Sequence, residues 1–489
     1  MDLLNKLSLG LHVAFAWPQL LAAVAGSLLG LLTGVLHRLR PVTMMALLLP
    51  LVPMLDAGVA LMLLVGVHCG ARYGAAAAML MTQPAEPGVF GVSPLAAEGQ
   101  ALTRQGRGAA MLRLGAVAGF VAACGGLLLI VALAPPLTEL AFRFGAAEVF
   151  SLMVLGLVGS AALAGGSLVG SLGMAVLGLL LTQIGRVPQA DLLQQGLGVI
   201  PLAIGLFAAG EVIINLGRAA QARRERIVPE QVAGQWPTRS DLREAWTAVL
   251  RGTLLGSMVG LLPGASTVLA AVSAYGLERR AAAGPVAGAM GPEAARHAAV
   301  QTTLLPVLTL GIPASATTAL LVAAMTIKGL QAGPLLMTGQ PSLFWGLIAS
   351  IWIGNAVLLA VGLSLAGVWD RLLTISYRRF AVPVLLLCCF GVYLGGGEHA
   401  VYLMAVAALM GYVFHKLRTQ TAPLLLGFVL GPMMEENLRR ALQLADGEWS
   451  VFVSRPLSLS LLMAALLLLL LVLLPKIRSR RQTVFREEG

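Results

Sequence analysis

The sequence predicts an all-α polytopic membrane protein, with about 11–13 membrane segments in two related, inverted halves that contain broken or re-entrant helices. Three observations carry that prediction. Of 489 residues, 58% are hydrophobic and 11% charged, with a mean hydropathy of +0.87, far outside soluble globular usage. An apolar stretch with glycine at every fourth position occurs twice, as GSLLGLLTGVLHRLRPVTMM from Gly26 and GTLLGSMVGLLPGASTVLAA from Gly252. In that register Gly26, Gly30 and Gly34 fall on Gly252, Gly256 and Gly260, and Leu28, Leu29, Leu36 and Val42 fall on identical residues. Finally, Pro and Gly interrupt several apolar runs, and paired helix breaks in two halves point to a transporter's binding site.

Along the chain, a first apolar stretch covers 13–36 and ends at the basic junction His37 to Arg40, and a second covers 42–67. Gly66 to Thr82 is too short and interrupted for an ordinary span, which suits a half-helix. A polar connection at 83–108 precedes spans at 109–134, 147–163, 167–184 and 196–217. The Arg-rich linker 218–245 carries Arg218, Arg223, Arg224, Arg226, Arg239 and Arg243 and is expected in the cytoplasm. Ser240 is placed to cap the helix that follows. Residues 1–217 and 246–475 then form the two membrane halves, and the basic tail 476–489 is cytoplasmic. Within the second half the pattern gives a loop at 281–296, a broken apolar region at 298–337, spans at 343–368, 380–395 and 400–414, a short piece at 422–434 and a last span at 456–475. With the linker inside, residues 13–36 and 246–263 run in opposite directions, so the repeat is inverted.

The net charge of +11 is explained by loop arginines that set orientation rather than by nucleic acid. Cys69, Cys124, Cys388 and Cys389 lie in or beside apolar segments without ligand spacing, so neither a disulfide framework nor a structural zinc is expected. The N-terminus lacks the pattern of a cleaved signal peptide. No HExxH, no GxSxG and no nucleophile with a base argue for an enzyme.

Chemistry concentrates at two breaks in the second half. Pro263, Gly264, Ala265, Ser266 and Thr267 form one, and Gly311, Pro313, Ser315, Thr317 and Thr318 form the other. Free amides after Pro313 suit an anionic carboxylate, and unwound carbonyls with the hydroxyls suit a cation such as sodium. The plainer reading has the hydroxyls capping broken backbone or packing helices. The first half offers cations instead: Arg38, Arg40, His68 and Arg72, joined by Arg296 and His297 of the second. At membrane depth such a group is a functional candidate, and at a loop end it sets topology, the reading preferred for Arg38 and Arg40. Glu435 with Arg439 and Glu436 with Arg440 have the spacing of helical ion pairs, and Lys328 marks a membrane boundary.

These segments, among them GSLLGLLTGV, PVTMMALLLP, TRQGRGAAM, APPLTELAFRFG, LRGTLLGSMVGLLPGAS, GPEAA, LPVLTLGIPASATTALL and LGPMMEENLRRAL, together resemble the large membrane subunit of the tripartite tricarboxylate transporters over nearly the whole chain. The resemblance implies a subunit of the bacterial inner membrane that takes up di- or tricarboxylates with a sodium or proton gradient. It also implies a small membrane subunit and a periplasmic solute-binding protein as partners, no cofactor beyond a bound sodium ion, and site residues at Pro263 to Ser266 and at Gly311, Ile312, Pro313, Ser315, Thr317 and Thr318. The chain departs from the family's pattern at His37-Arg38, where the family has Pro-Gly, at Ala75 to Ala78, and at Arg296-His297, where an Asn pair is usual. From this a fixed guanidinium, Arg72 or Arg296, is expected to replace a bound cation or to pair with the substrate carboxylate. The alternative is a non-transporting receptor or assembly protein that docks a loaded binding protein.

Overall fold

The computed structural model describes residues 3–35, 39–81, 98–163, 167–184, 198–219, 236–262, 264, 267–281, 284–364 and 377–474, and every regular element among them is helical. In order the main ones are α1 (Leu3–Ala14), α2 (Trp17–Val35), α3 (Pro41–Leu48), α4 (Ala57–Met81), α5 (Gly108–Ala141), α6 (Ala146–Leu163), α7 (Leu168–Leu181), α8 (Val199–Ala203), α9 (Gly210–Ala219), α10 (Arg239–Gly260), α11 (Thr267–Arg280), α12 (Pro285–Thr302), α13 (Leu304–Leu310), α14 (Ala316–Ile327), α15 (Pro341–Ser364), α16 (Tyr377–Lys416), α17 (Ala422–Gln443) and α18 (Pro456–Leu473). A π-helical turn, Ile204–Ala209, joins α8 to α9. Among the described residues, eight helices are long and apolar enough to cross a membrane, and Pro41–Met54, Leu168–Leu181 and Ala316–Ile327 are shorter apolar helices.

Several boundaries differ from the sequence reading. The stretch expected as one span at 42–67 is two pieces, because Pro50 and Pro53 turn the chain into a 3-10 segment, Leu49–Met54, before α4 begins. The half-helix expected at Gly66 to Thr82 is instead the continuation of α4, whose glycines serve packing rather than breakage. The loop expected at 281–296 is mostly the helix α12, from Val286 to Thr302 a continuous run of buried residues. Pro285 sits at its first turn, where the missing N–H costs nothing, and the carboxylate of Glu244 accepts from the amides of Val286 (2.9 Å) and Ala287 (3.2 Å). The short piece at 422–434 opens the 22-residue α17. Spans expected at 380–395 and 400–414 both lie in α16, which breaks at Gly397 (φ 65°, ψ −158°) between them. The cap of α10 is Thr238 rather than Ser240: Thr238 and Asp241 form a reciprocal capping box, and Ser240 Oγ lies 2.8 Å from Thr238 Oγ1.

Packing runs through two glycine seams. On α2, a Cβ at Gly26, Gly30 or Gly34 would strike the carbonyls of Leu63, Val67 and Ala71 on α4. On α10, a Cβ at Gly252, Gly256 or Gly260 would strike those of Gly291, Ala295 and Ala299 on α12. Without side chains at these positions the backbones approach closely and gain dispersion contacts, the usual basis of helix association in lipid. By contrast α16 and α18 turn large apolar side chains outward, among them Leu386, Leu387, Phe390, Leu466 and Leu470, the surface a lipid bilayer covers. Lys328, at the end of α14, donates to the Pro53 carbonyl (3.0 Å).

Candidate functional site

The inner partners of the two seams, α4 and α12, face each other across a charged cluster. Glu293 and His297 lie one turn apart on α12, with Arg296 beside them, and α4 contributes Arg72 and Tyr73. Glu293 is the hub. Arg72 Nε lies 3.9 Å from its Oε1, Arg296 Nη1 3.8 Å from its Oε2, and His297 Nε2 3.2 Å from its Oε1. These side chains are withdrawn from the surface, with exposures of 14% for Arg72, 0% for Glu293, 2% for Arg296 and 1% for His297. Tyr73 meets the His297 ring edge to face, with centroids 4.3 Å apart, and Gly119 of α5 leaves the ring its room.

Two features give this cluster chemical content. Both carboxylate oxygens of Glu293, and Nε and Nη2 of Arg72, make no hydrogen bond among the described residues, although all four atoms are buried. Buried polar atoms are ordinarily satisfied, so ion-pair attraction without hydrogen bonds leaves binding capacity unused. A guanidinium also stays ionised, so Arg72 and Arg296 place two fixed positive charges beside Glu293. Ionisable groups held in a membrane protein's interior are costly and mark candidate functional sites. Beside the cluster lies a cavity of about 30 Å³, whose lining includes Tyr73, Glu293 and His297 together with Leu31, Ala77 and Gly115.

A second polar layer continues from the same helices. Cys69 Sγ approaches Gln301 Oε1 (3.4 Å), the Gln301 amide approaches Asn355 Oδ1 of α15 (3.4 Å), and His68 Nε2 lies 3.2 Å from the Val300 carbonyl and 3.4 Å from Thr303 Oγ1.

Of the residues singled out in the sequence, Arg72 and Arg296 are brought together, and His68 and His297 lie on the same facing helices. Glu293 was missed. Its signal was available, since Glu293, Arg296 and His297 have the i, i+3, i+4 spacing of one helical face; placing 281–296 in a loop hid it. At the second break, Gly311 is left-handed (φ 75°) and ends α13, and Ser315 caps α14. The amides after Pro313 already have a partner: Thr318 Oγ1 accepts from Ala314 (3.0 Å) and Ser315 (2.8 Å), and Ser315 Oγ lies 3.0 Å from Thr317 Oγ1. At the first break, Gly264 (φ 77°) lies against the backbone of Gly159 and Ser160, and Thr267 opens α11. Pro263, Ala265 and Ser266 lie outside the described residues, as do His37 and Arg38. Arg40 pairs with Glu211 (3.6 Å). Glu436 pairs with Arg440 as expected, whereas Glu435 accepts from the Gln183 amide (3.0 Å).

Apolar spans of this number, around buried charges and interrupted helices, define a multi-pass membrane protein built as transporters are. The chain belongs to the tripartite tricarboxylate transporter TctA family, whose model matches residues 20–426, and is thus a membrane component of such a transporter rather than an enzyme. Over the full length of both chains it is 38% identical to a protein of Agrobacterium vitis described as an uncharacterized 52.8 kDa protein in the TAR-I ttuC' 3'region. It is 44% identical over 241 residues, 48% of this chain and all of the other, to an uncharacterized protein in the TAR-II ttuC' 3'region of the same organism. No solved structure matches.

Proposed function

We propose that this chain is the transporting subunit of a binding-protein-dependent secondary transporter, and that Arg72 and Arg296 hold a carboxylate of a di- or tricarboxylate substrate. The observation that carries this is the buried pair of guanidiniums around a single carboxylate, with Arg72 donors unspent. A substrate carboxylate supplies a bidentate acceptor for the Arg72 fork. In this reading the subunit sits in the inner membrane with the linker 218–245 and the tail 476–489 in the cytoplasm, and works with a small membrane subunit and a periplasmic binding protein. An ion gradient drives uptake. The breaks at Pro263 to Thr267 and at Gly311 to Thr318 supply secondary ligands of the path, and the seam helices are the cores of two inverted halves, 1–217 and 246–475. Like spacing of the two glycine seams supports that relation.

The test is uptake of labelled citrate, malate and succinate into proteoliposomes holding this chain and its small subunit, with loaded binding protein outside. Uptake is expected to fall at least about tenfold in Arg72→Gln and in Arg296→Gln, the loss of a buried charged hydrogen bond. Unchanged uptake in both variants sinks the assignment. Docking of the binding protein without any uptake by the unaltered chain turns the reading to a receptor.

A further inference from the structure

We infer that Ser27 and Asn355 form a second carboxylate subsite, one helical turn from Arg72, that sets the transporter for an unbranched four-carbon dicarboxylate. This rests on the substrate reading above. Ser27 of α2 and Asn355 of α15 are buried, with exposures of 1% and 0%, and Ser27 Oγ and Asn355 Nδ2 make no hydrogen bond among the described residues. A Cβ at Gly354 would strike Ser27 Oγ, so the hydroxyl lies against the backbone next to Asn355. A run of donated bonds orients the Asn355 amide: Cys69 Sγ donates to Gln301 Oε1, and Gln301 Nε2 donates to Asn355 Oδ1. The Asn355 N–H groups and the Ser27 hydroxyl are left as unspent donors. Buried donors are ordinarily satisfied, and a carboxylate, which only accepts, is the ligand group that satisfies two of them at once.

Four helices bring this layer into register with the charged one. Ser27, Cys69 and Asn355 stand three or four residues before Leu31, Tyr73 and Leu358, and Gln301 stands four after His297; the partner of each lines the cavity. Residues so spaced share a helix face. Arg72 lies three residues beyond Cys69, so at about 1.5 Å per residue the two layers are about 5 Å apart along α4. Three C–C bonds of about 1.5 Å in zigzag, with C–O bonds of about 1.2 Å beyond, set the outer oxygens of a four-carbon diacid about 5–6 Å apart. Its near carboxylate meets Arg72, and its far one meets Ser27 and Asn355. The cavity that these helices enclose, about 30 Å³ with Leu31 and Leu358 in its wall, has room for one or two small groups and suits the two middle carbons. A branch carrying a third carboxylate would meet leucine there and lose its water without gaining a partner.

The experiment titrates the purified membrane complex, this chain with its small subunit in lipid nanodiscs, with succinate, succinamate and citrate, reading Kd from the rise in melting temperature. No binding protein is present, so the selectivity is that of the membrane subunits. Succinamate is the same chain with one carboxylate turned into an amide. The unaltered complex is expected to bind succinate at least about tenfold more tightly than either other probe, the effect of a lost charged hydrogen bond. In Ser27→Ala and in Asn355→Leu the preference for succinate over succinamate is expected to shrink to about twofold or less, because the group that told them apart is gone. Ser27→Ala deletes a buried hydroxyl that has no partner, so the fold does not suffer and the change reports the ligand contact. Equal affinities for the three probes in the unaltered complex overturn the inference and leave the Arg72 carboxylate site standing. So do variants that keep the full preference. Binding of none of the three removes the carboxylate site itself, and the inference with it. Because the three probes are compared on the unaltered complex, the inference stays testable even if a variant does not fold.

Discussion

The two glycine seams are alike on one side and different on the other. In α2 and α10 the glycines at every fourth position lie against carbonyls of the partner helix, at Leu63, Val67 and Ala71 in one case and at Gly291, Ala295 and Ala299 in the other. On the partner α4, however, Gly66, Gly70 and Gly74 return the contact, pressed against the backbone of Ser27, Leu31 and their neighbours. Setting Leu63 against Gly291 puts Ala294, Ala298 and Thr302 of α12 at the corresponding positions. The first seam is therefore closed by glycine from both helices. The second is closed by glycine from one helix, and polar ties at its end add to the hold: Glu244 caps α12, and Arg251 grips Glu278 of α11 with two hydrogen bonds of 3.1 and 2.7 Å. In the same alignment Val65 of α4 stands where α12 has Glu293, and His68 where it has Arg296.

The difference separates what packs from what acts. Glycine seams fix the distance between helix axes and place no charge. Chemistry lies on the faces that α4 and α12 turn to each other, and the hub carboxylate comes from the helix with the looser seam. The largest expected effect follows there. Glu293→Gln removes the carboxylate that two inward-facing guanidiniums share and is expected to destabilise the protein by about 3–5 kcal/mol, the usual cost of breaking a buried pair from one side. Adding Arg72→Gln to that variant is expected to restore part of the loss, as read by thermal unfolding of the purified protein in detergent. A double variant no more stable than Glu293→Gln alone would show that Arg72 and Glu293 do not feel each other.

A smaller effect tests the two-sided closure of the first seam. Gly70→Ala puts a methyl against the Ser27 carbonyl and is expected to cost about 1–3 kcal/mol, since backbone cannot yield as a side chain can. The control is Gly115→Ala in α5, where a Cβ has open space, and which is expected to be near neutral. Equal melting temperatures for the two variants would remove the distinction drawn between the seams.

How much of this the sequence disclosed depended on what each helix faces. α16 and α18 expose leucines to lipid, so hydropathy finds them. The glycine repeat was legible because close backbone approach demands glycine at a fixed period. α12 was not legible as a helix: it is walled by protein, so its run of Gly, Pro, Glu, Arg, His and Gln never had to satisfy lipid, and its polar residues resemble those of a loop. For the same reason Arg72 and Arg296 stand out as candidates, while the helical spacing that marks Glu293, the residue that joins them, is hidden by the loop-like composition around it. The second break shows the reverse case. Its hydroxyls were plain in the sequence, but Thr318 folds back onto the amides of Ala314 and Ser315, a pairing set by local backbone geometry rather than by composition.

The smallest effect concerns the polar tie that the second seam has at its end. Glu244 lies on α10, and its side chain accepts from the first free amides of α12, where the helix dipole also favours an anion. Glu244→Ala is expected to cost about 1–2 kcal/mol, as loss of a charged helix cap does. Glu244→Gln keeps an acceptor but not the charge and is expected to lose less than half of that. Adding salt separates the two contributions, because screening weakens the charge at this half-buried boundary and leaves the hydrogen bonds in place. If both variants melt with the unaltered protein, the α10–α12 seam holds by its glycines alone, and the asymmetry between the two seams reduces to the side chains at Ala294, Ala298 and Thr302.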